Sequence, residues 1–406
     1  MEVTHLAADI ELPAGWHQPR VIDIAARRAN ATVGGPFGSD LVAKDYVDSG
    51  VPVIRGQNMG HRYVSGEFAF VSPAKAKALQ ANLARPSDLV FTQRGTLGQV
   101  ALVPTGPYKE YLISQSQMKL TLDCGAAAPG YVHQYFASAL GQKQILDSAI
   151  QTGVPHTNLG ILRNYAVPMP RRVDEQDAIA AALTDADALI DSLEQLLTKK
   201  RQIKQGAMQE LLTGKRRLPG FTGKWQIASL GQVAKVKTGS MNNQDKVEDG
   251  EYPFFVRSQS VERIDTFTHD CEAILVPGEG GIGSIFHYIK GRFALHQRVY
   301  GVTDFSDVVF GRFLYFYIRV FFGAHAMENS VKATVDSLRL PTFLDFEIRL
   351  PPTKNEQNAI VEVLSDIESE VESLESRLIK ARALKQAMAQ ALLTGRIRLA
   401  GEGANA

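Results

Sequence analysis

The chain has 406 residues, 45% of them hydrophobic and 21% charged, with 44 Lys and Arg against 43 Asp and Glu. At roughly 150 residues per domain this supplies two or three folded units, and a net charge of +1 excludes both a wholly disordered chain and a polycation that coats nucleic acid by charge alone. Any nucleic-acid surface must be local, built from a few placed side chains.

The first ten residues, MEVTHLAADI, lack the basic start and apolar core of a secretory signal. The longest apolar stretch, Phe313 to Ala324, is interrupted by Arg319 and falls short of the ~20 residues that cross a bilayer. A cytoplasmic protein with no membrane contact is therefore expected. Cys124 and Cys271 are the only cysteines, too few for a disulfide framework or a Cys-based zinc site, so two free thiols are expected.

Along the chain, Leu12-Pro13-Ala14-Gly15-Trp16 opens a strand-and-turn region. Asp88 to Phe91 and Gly95 to Val103 read as a hairpin around a glycine turn, and a short helix is expected near Tyr131 to Ile145. After Pro168 and Pro170 the pattern becomes a long helix, with Asp174 as its N-cap and Gly214 beyond its last turn. Ile179, Leu183, Ala186, Ile190, Leu193 and Leu197 follow the alternating steps of four and three that a coiled-coil seam requires. The cycle then restarts. Leu218-Pro219-Gly220 with Trp225 echoes the opening, Glu272 to Val276 and Gly280 to Phe286 form the second hairpin, a helix is expected from Val309 to Phe322, and Pro351 and Pro352 precede a helix with Asn355 as N-cap and Gly395 at its end. Its seam is Ile360, Leu364, Ile367, Val371, Leu374 and Leu378.

The two helices are one sequence written twice. Residues 174–220 align without a gap on 355–401, and 22 of the 47 pairs are identical. Counting from each Trp to the Glu at the helix start gives 159 positions in the first half and 131 in the second, so divergent parts of different length sit between repeated ends. Charge is polarised along both copies. Asp174 to Glu194 carries seven acids and no base, Lys199 to Arg217 seven bases and one acid; Glu356 to Glu375 and Arg377 to Arg398 repeat this with seven acids and then six bases. Acids first and bases last complement each helix dipole. If the helices pair, an antiparallel arrangement also sets acidic halves beside basic ones, and an intramolecular antiparallel pair is predicted, with the apolar seam supplying most of the stability because exposed ion pairs are worth only ~0.2–1 kcal/mol.

Chemical motifs are few. Gly278-Glu279-Gly280-Gly281-Ile282-Gly283 matches G-x-G-x-x-G, but Ser284 to Ile289 is β-branched and aromatic where a dinucleotide site needs a helix, so a hairpin turn is expected. There is no Walker A sequence, the only Pro-Pro lies in Leu350-Pro351-Pro352-Thr353 rather than in an amino-methyltransferase motif, and the nine histidines show no metal-ligand spacing. No nucleophile, base and orienter can be assembled from the sequence. Polar and basic residues do recur where loops would meet a ligand: Lys44, Arg55, Gln57, Asn58, Arg94, Gln115, Ser116, His156 and Asn158 in the first half, and Lys237, Asn242, Asn243, Arg257, Gln259, His296, Gln297, Arg298 and Lys332 in the second. Arg, Gln and Asn pair with base edges and Lys suits phosphates, which makes these candidate DNA contacts.

Glu175-Gln176 and Glu356-Gln357 at the helix starts, Leu211-Leu212-Thr213-Gly214 and Leu392-Leu393-Thr394-Gly395 at their ends, and Leu-Pro-x-Gly-Trp at residues 12–16 together resemble the specificity (S) subunit of type I restriction-modification systems. The resemblance covers nearly the whole chain. It implies an α+β fold: two mixed α/β target recognition domains, residues 1–173 and 222–354, separated by two long conserved helical spacers, residues 174–221 and 355–406, packed as an antiparallel coiled coil with a pseudo-twofold internal repeat. It further implies that each domain reads half of a bipartite double-stranded DNA target, and that the chain recruits two methyltransferase (M) subunits and, in the full complex, restriction (R) subunits. S-adenosylmethionine and ATP would belong to those partners, leaving this chain non-catalytic and without a cofactor or metal of its own. The competing readings are a stand-alone DNA-processing enzyme with a dispersed active site and a coiled-coil scaffold without a DNA role.

Overall fold

The first half of the chain alternates short strands with short helices, as its dense Gly and Pro punctuation requires. The computed structural model describes residues 11–151, 153–328 and 337–399. In order come β1 (Trp16–His17), α1 (Val21–Ile24), β2 (Thr32–Gly34), β3 (Tyr46–Val47), β4 (Val51–Ile54), β5 (Ala69–Val71), α2 (Pro73–Ala78), β6 (Leu83–Ala84), β7 (Leu89–Thr92), β8 (Val100–Leu102), β9 (Tyr111–Ile113) and β10 (Gln117–Leu120). Then follow α3 (Pro129–Ala137), α4 (Ala139–Asp147), α5 (Leu159–Asn164), β11 (Met169–Pro170) and the 39-residue α6 (Val173–Leu211). The second half repeats the scheme with β12 (Gln226–Ser229), α7 (Leu230–Val233), β13 (Lys235–Thr238), β14 (Tyr252–Phe255), β15 (Glu262–Ile264), β16 (His269–Pro277), β17 (His287–Leu295), β18 (Val299–Thr303), α8 (Gly311–Glu328), α9 (Leu340–Leu344), β19 (Glu347–Leu350) and the equally long α10 (Lys354–Leu392).

These elements form two compact units, one built from residues up to Leu193 together with those from Arg377 onward, the other from Glu194 to Ser376. In the first, a four-stranded sheet in the order β2-β10-β7-β8 lies beside a five-stranded sheet, β3-β5-β4-β9-β6, and β1 pairs with β11. In the second, a single sheet β13-β18-β16-β17-β14-β15 does the work of both, and β12 pairs with β19. The equivalence is topological. β2, β10 and β7 correspond to β13, β18 and β16, and β4 runs parallel to β9 (Ile54 opposite Ile113) just as β14 runs parallel to β17 (Phe255 opposite Leu295). The nine-residue β17 occupies the places of β8 and β9, which the first unit keeps as two strands, and the first unit adds α2 and β6.

Three local expectations change. The helix expected at Tyr131 to Ile145 is two helices, because Ser138 leaves α-geometry, ends α3 and caps α4 by accepting the Gly141 N–H. Both long helices begin two residues earlier than their predicted caps imply, at Val173 and Lys354, so Asp174 lies inside the first turn of α6. For α10 the cap is Thr353, whose hydroxyl accepts the Glu356 N–H at 3.3 Å, which leaves Asn355 inside the first turn. The second hairpin returns at His287, so Gly280 to Phe286 form the turn; Gly280, Gly281 and Gly283 all take φ near +68°, and β17 follows where a dinucleotide site would place a helix.

Each core draws on both long helices. The first unit's main cluster joins Ile179, Ala180 and Leu183 from the start of α6 to Leu392 and Leu393 at the end of α10, around Phe136, Tyr131 and Met118. The second joins Met208, Leu211 and Leu212 from the end of α6 to Ile360, Val361 and Leu364 from the start of α10, around Phe313, Phe316 and Phe322. The start of one helix meeting the end of the other within each unit is an antiparallel pair. Of the predicted seam, Ile179, Leu183, Leu193, Leu197, Ile360, Leu364, Val371, Leu374 and Leu378 are buried and Ile190 and Ile367 half-buried. Charge follows the same sense: Asp187 bonds Lys385 in the first unit, while Lys200, Arg201 and Lys204 bond Glu370, Glu375 and Glu368 in the second.

Candidate nucleic-acid interface

In each unit backbone bonds tie four loops together at the strand ends, and a fifth is pressed onto them. In the first unit the Ser114 N–H donates to Ile54 O (3.0 Å), the Gln93 N–H to Ser116 O (2.7 Å) and the Thr157 N–H to Gln93 O (3.0 Å). The loops after β4, β9, β7 and α4 are thereby joined. The loop after β2 is pressed onto them: a Cβ at Gly35 would lie 2.1 Å from Ser114 O, a distance only glycine permits. In the second unit the His296 N–H donates to Phe255 O (3.1 Å), the Gly278 N–H to Arg298 O (2.9 Å) and the Leu338 N–H to Gly278 O (2.8 Å), while a Cβ at Gly239 would lie 2.0 Å from Leu295 O. The same scaffold is present twice, and it aligns Arg94 with Glu279, Gln115 with Gln297 and Ser116 with Arg298.

On this scaffold the second unit assembles the denser polar surface. The Gln297 amide donates to Asn242 Oδ1 at 2.6 Å, and the Arg298 N–H donates to His296 Nδ1 at 3.0 Å. Burial, and then the charges of Arg257 and Arg298, hold the His296 pKa below its ordinary value, in keeping with a neutral ring that accepts at Nδ1. The Glu279 carboxylate receives Arg257 Nη1 at 3.3 Å and Arg298 Nη1 at 3.2 Å. Asn243, next in sequence to Asn242, and Gln259, two residues after Arg257, are exposed, and Lys237 is exposed on β13. Lys332 lies outside the described residues.

The first unit's candidates divide. Arg94 is exposed on the turn after β7 and its backbone bridges to that of His156, whose Nδ1 bonds Val154 O at 3.1 Å. Ser116 stands beside them, and Gln115 is exposed while its amide donates to Leu41 O at 2.8 Å, the counterpart of Gln297 reaching the opposite loop. Lys44 is exposed in a short 3₁₀ turn. Gln57 is exposed and donates to Glu67 O. Two candidates serve the fold instead. Asn58 is fully buried, its Oδ1 accepting the Arg55 N–H and its amide donating to Ser65 O and Glu67 O; Asn158 caps α5 by accepting the Ile161 N–H at 2.9 Å. Arg55 is half-buried, its Nε shielded from solvent. Sequence reasoning passed over Gln93 and Glu279: a search for basic and donor side chains skips an acid, and only the fold shows that Glu279 stands between two arginines.

The short repeated motifs have a different task. Glu175, buried at the start of α6, binds the guanidinium of Arg398 through both oxygens at 2.5 and 2.7 Å, and Glu356 binds Arg217 at 2.5 and 2.8 Å. Each arginine also donates to the Trp-bearing segment, Arg398 to Ala14 O and Arg217 to Thr222 O and Gly223 O. The neighbouring glutamines fasten the shorter helices: Gln176 accepts the Ala128 N–H at the head of α3, and Gln357 accepts the Phe310 N–H at the head of α8. Gly214 and Gly395, both at φ +72°, press against Trp225 and Trp16, where a Cβ would come within 3.1 and 3.0 Å of the indoles. Among the described residues no group of three or more His, Cys, Asp or Glu could hold a metal, and no helix is long and apolar enough to cross a membrane.

Comparison with known proteins agrees with this doubled construction. The type I restriction modification DNA specificity domain matches twice, over residues 45–205 and 222–381. The chain belongs to the family of type I restriction-modification specificity subunits. Among curated specificity subunits, that of the Escherichia coli type I enzyme EcoDI is 31% identical over 170 residues, which is 42% of this chain and 37% of that one. The MjaVIII specificity subunit of Methanocaldococcus jannaschii is 23% identical over 302 residues, 66% of this chain and 70% of that one. The match thus spans less than half the length of the first of these specificity subunits. The fold is shared with the S subunit from M. genitalium (TM-score 0.64, 14% identity, 96% of this chain and 97% of that one). It is also shared with a chain solved in a study of complex assembly and conformational transition of the type I system (TM-score 0.54, 16% identity, 95% and 100%).

Proposed function

We propose that this chain is the non-catalytic, sequence-reading component of a type I restriction-modification complex, in which each unit contacts one half of a bipartite duplex target through its gathered loops. The observation that carries this is the convergence of Arg257, His296, Gln297, Arg298 and Asn242 on one sheet end, with Arg94, Gln115, Ser116 and His156 on the same scaffold in the other unit. Bidentate donors of this kind discriminate base edges in the major groove, and arginine adds phosphate attraction. In this reading the long helices set the number of bases between the half-sites. They also dock two methyltransferase subunits, for which the exposed Leu189, Ile203, Ile379 and Leu384 supply apolar surface. Restriction subunits join in the full complex, and S-adenosylmethionine and ATP are held by the partners.

The test is selection from a pool of duplexes with a randomised core, using the full chain with its methyltransferase subunits. The expected product is one motif in two parts separated by unspecified bases. Methylation or cleavage of DNA by the purified chain alone would favour a stand-alone enzyme, and absence of DNA affinity in the complex would favour a scaffold.

A further inference from the structure

The two reading faces carry opposite charge at the same place. Gln93 and Gly278 occupy equivalent positions, since each donates its N–H to the loop before β10 or β18 and accepts one from the loop that follows the helical segment. The next residue is Arg94 in the first unit and Glu279 in the second. An acid on a surface that meets phosphates is unfavourable unless it has a task, and Glu279 has two partners: Arg257 Nη1 at 3.3 Å and Arg298 Nη1 at 3.2 Å. The arginine side chains are 50% and 60% exposed and the glutamate 22%, so the carboxylate sits behind the guanidinium groups and they face outward. Backbone bonds hold it in place from both sides, Gly278 donating to Arg298 O and accepting from the Leu338 N–H, with Glu279 bridged to Ser337.

We propose that Glu279 is a specificity-determining positioning residue, which binds one nitrogen of each of Arg257 and Arg298 and so directs their remaining N–H groups to guanine edges in the second half-site instead of to phosphates. An unrestrained arginine reaches whichever anion is nearest, and on DNA that is the backbone of any sequence. Tying two arginines to one carboxylate lowers the local charge, which weakens sequence-independent attraction, and fixes two forks whose orientation suits the O6 and N7 acceptors of guanine. The first unit, with Arg94 at this position, lacks this device and draws more on phosphate attraction. The inference rests on the proposed role as a DNA reader.

The experiment compares the full chain carrying Glu279→Gln, Glu279→Asp or no change, each with its methyltransferase subunits, in two assays. In the first, binding to a random-sequence 40-base-pair duplex is followed across salt concentration. E279Q should bind it several-fold more tightly at low salt, with a log–log salt slope steeper by about one to two. In the second, selection from the randomised duplex pool should show preference at the second half-site falling roughly tenfold for E279Q, with the first half-site unchanged and E279D retaining most of the discrimination. If wild type selects a two-part motif and E279Q selects it equally stringently, or E279Q only lowers the melting temperature with both assays unchanged, the inference fails while the reading role stands. If wild type selects no motif, the reading role itself fails.

Discussion

Glu356 is 1% exposed at its side chain and Glu175 7%, and each is satisfied by a single arginine from the other long helix's end. Replacing either with alanine removes both charge-assisted bonds from that arginine, which keeps only its backbone carbonyl partners. Loss of about 2–3 kcal/mol is expected for each, read by chemical denaturation, and the two values should be similar because the pairs are repeats of one another. Asn158→Ala should cost about 1 kcal/mol as a lost helix cap and leave the selected DNA motif unchanged, whereas Gln297→Ala should relax that motif. His133 gives a pH signature. Burial, and secondarily Arg62, lowers its pKa from 6.5 to about 4, so between those values the unfolded chain binds the proton and the folded one does not. Its contribution is complete above pH 6.5 and is lost as pH falls toward 4, roughly 2–3 kcal/mol; a His133→Gln variant should lose that part of the pH slope in equilibrium unfolding. At this scale the sequence was legible for residues with a local grammar, such as Gly214, Gly395 and the seam positions. Asn58, Asn158 and Glu279 were not, because a side chain's partners across a turn or between loops depend on tertiary register that no spacing rule carries.

At the scale of elements, the long helices were the most readable part, since a seam of apolar residues over many turns and a polarised charge pattern both survive in the linear sequence. The antiparallel sense follows from charge, and its best-placed instance is Glu368 on α10. Burial opposes its ionisation, but Lys204 of α6 and Arg319 of α8 outweigh it and hold the carboxyl below its ordinary value of 4.5. The stabilisation is therefore present above pH 4.5 and is lost as pH falls through the lowered value. Glu368→Gln should flatten the acid limb of the unfolding curve below about pH 4.5, where a purely apolar helix pair would show no change. The strands were less legible. β1, β3, β6 and β11 are two residues long and leave no alternation to detect, and the break between α3 and α4 depends on one hydroxyl, Ser138. The second hairpin's turn was predicted too short because its glycines mark where φ must be positive, while the end of the turn is set by where β17 finds its partner.

At the scale of the whole molecule, the sequence comparison that matters is internal. The repeated ends specify the paired helices and their Glu–Arg fastenings, and the divergent interiors specify two faces on one scaffold. The length difference between the halves goes into places that leave the scaffold intact, such as α2, β6 and the separation of β8 from β9. The central claim is that each unit is an independent reader, and the direct measurement is mapping of methylated sites after residues 1–173 are exchanged for the corresponding region of another specificity subunit, in the presence of the cognate methyltransferase. One half of the methylated motif should change and the other half stay; a motif unchanged in both halves, or altered in both, would contradict it.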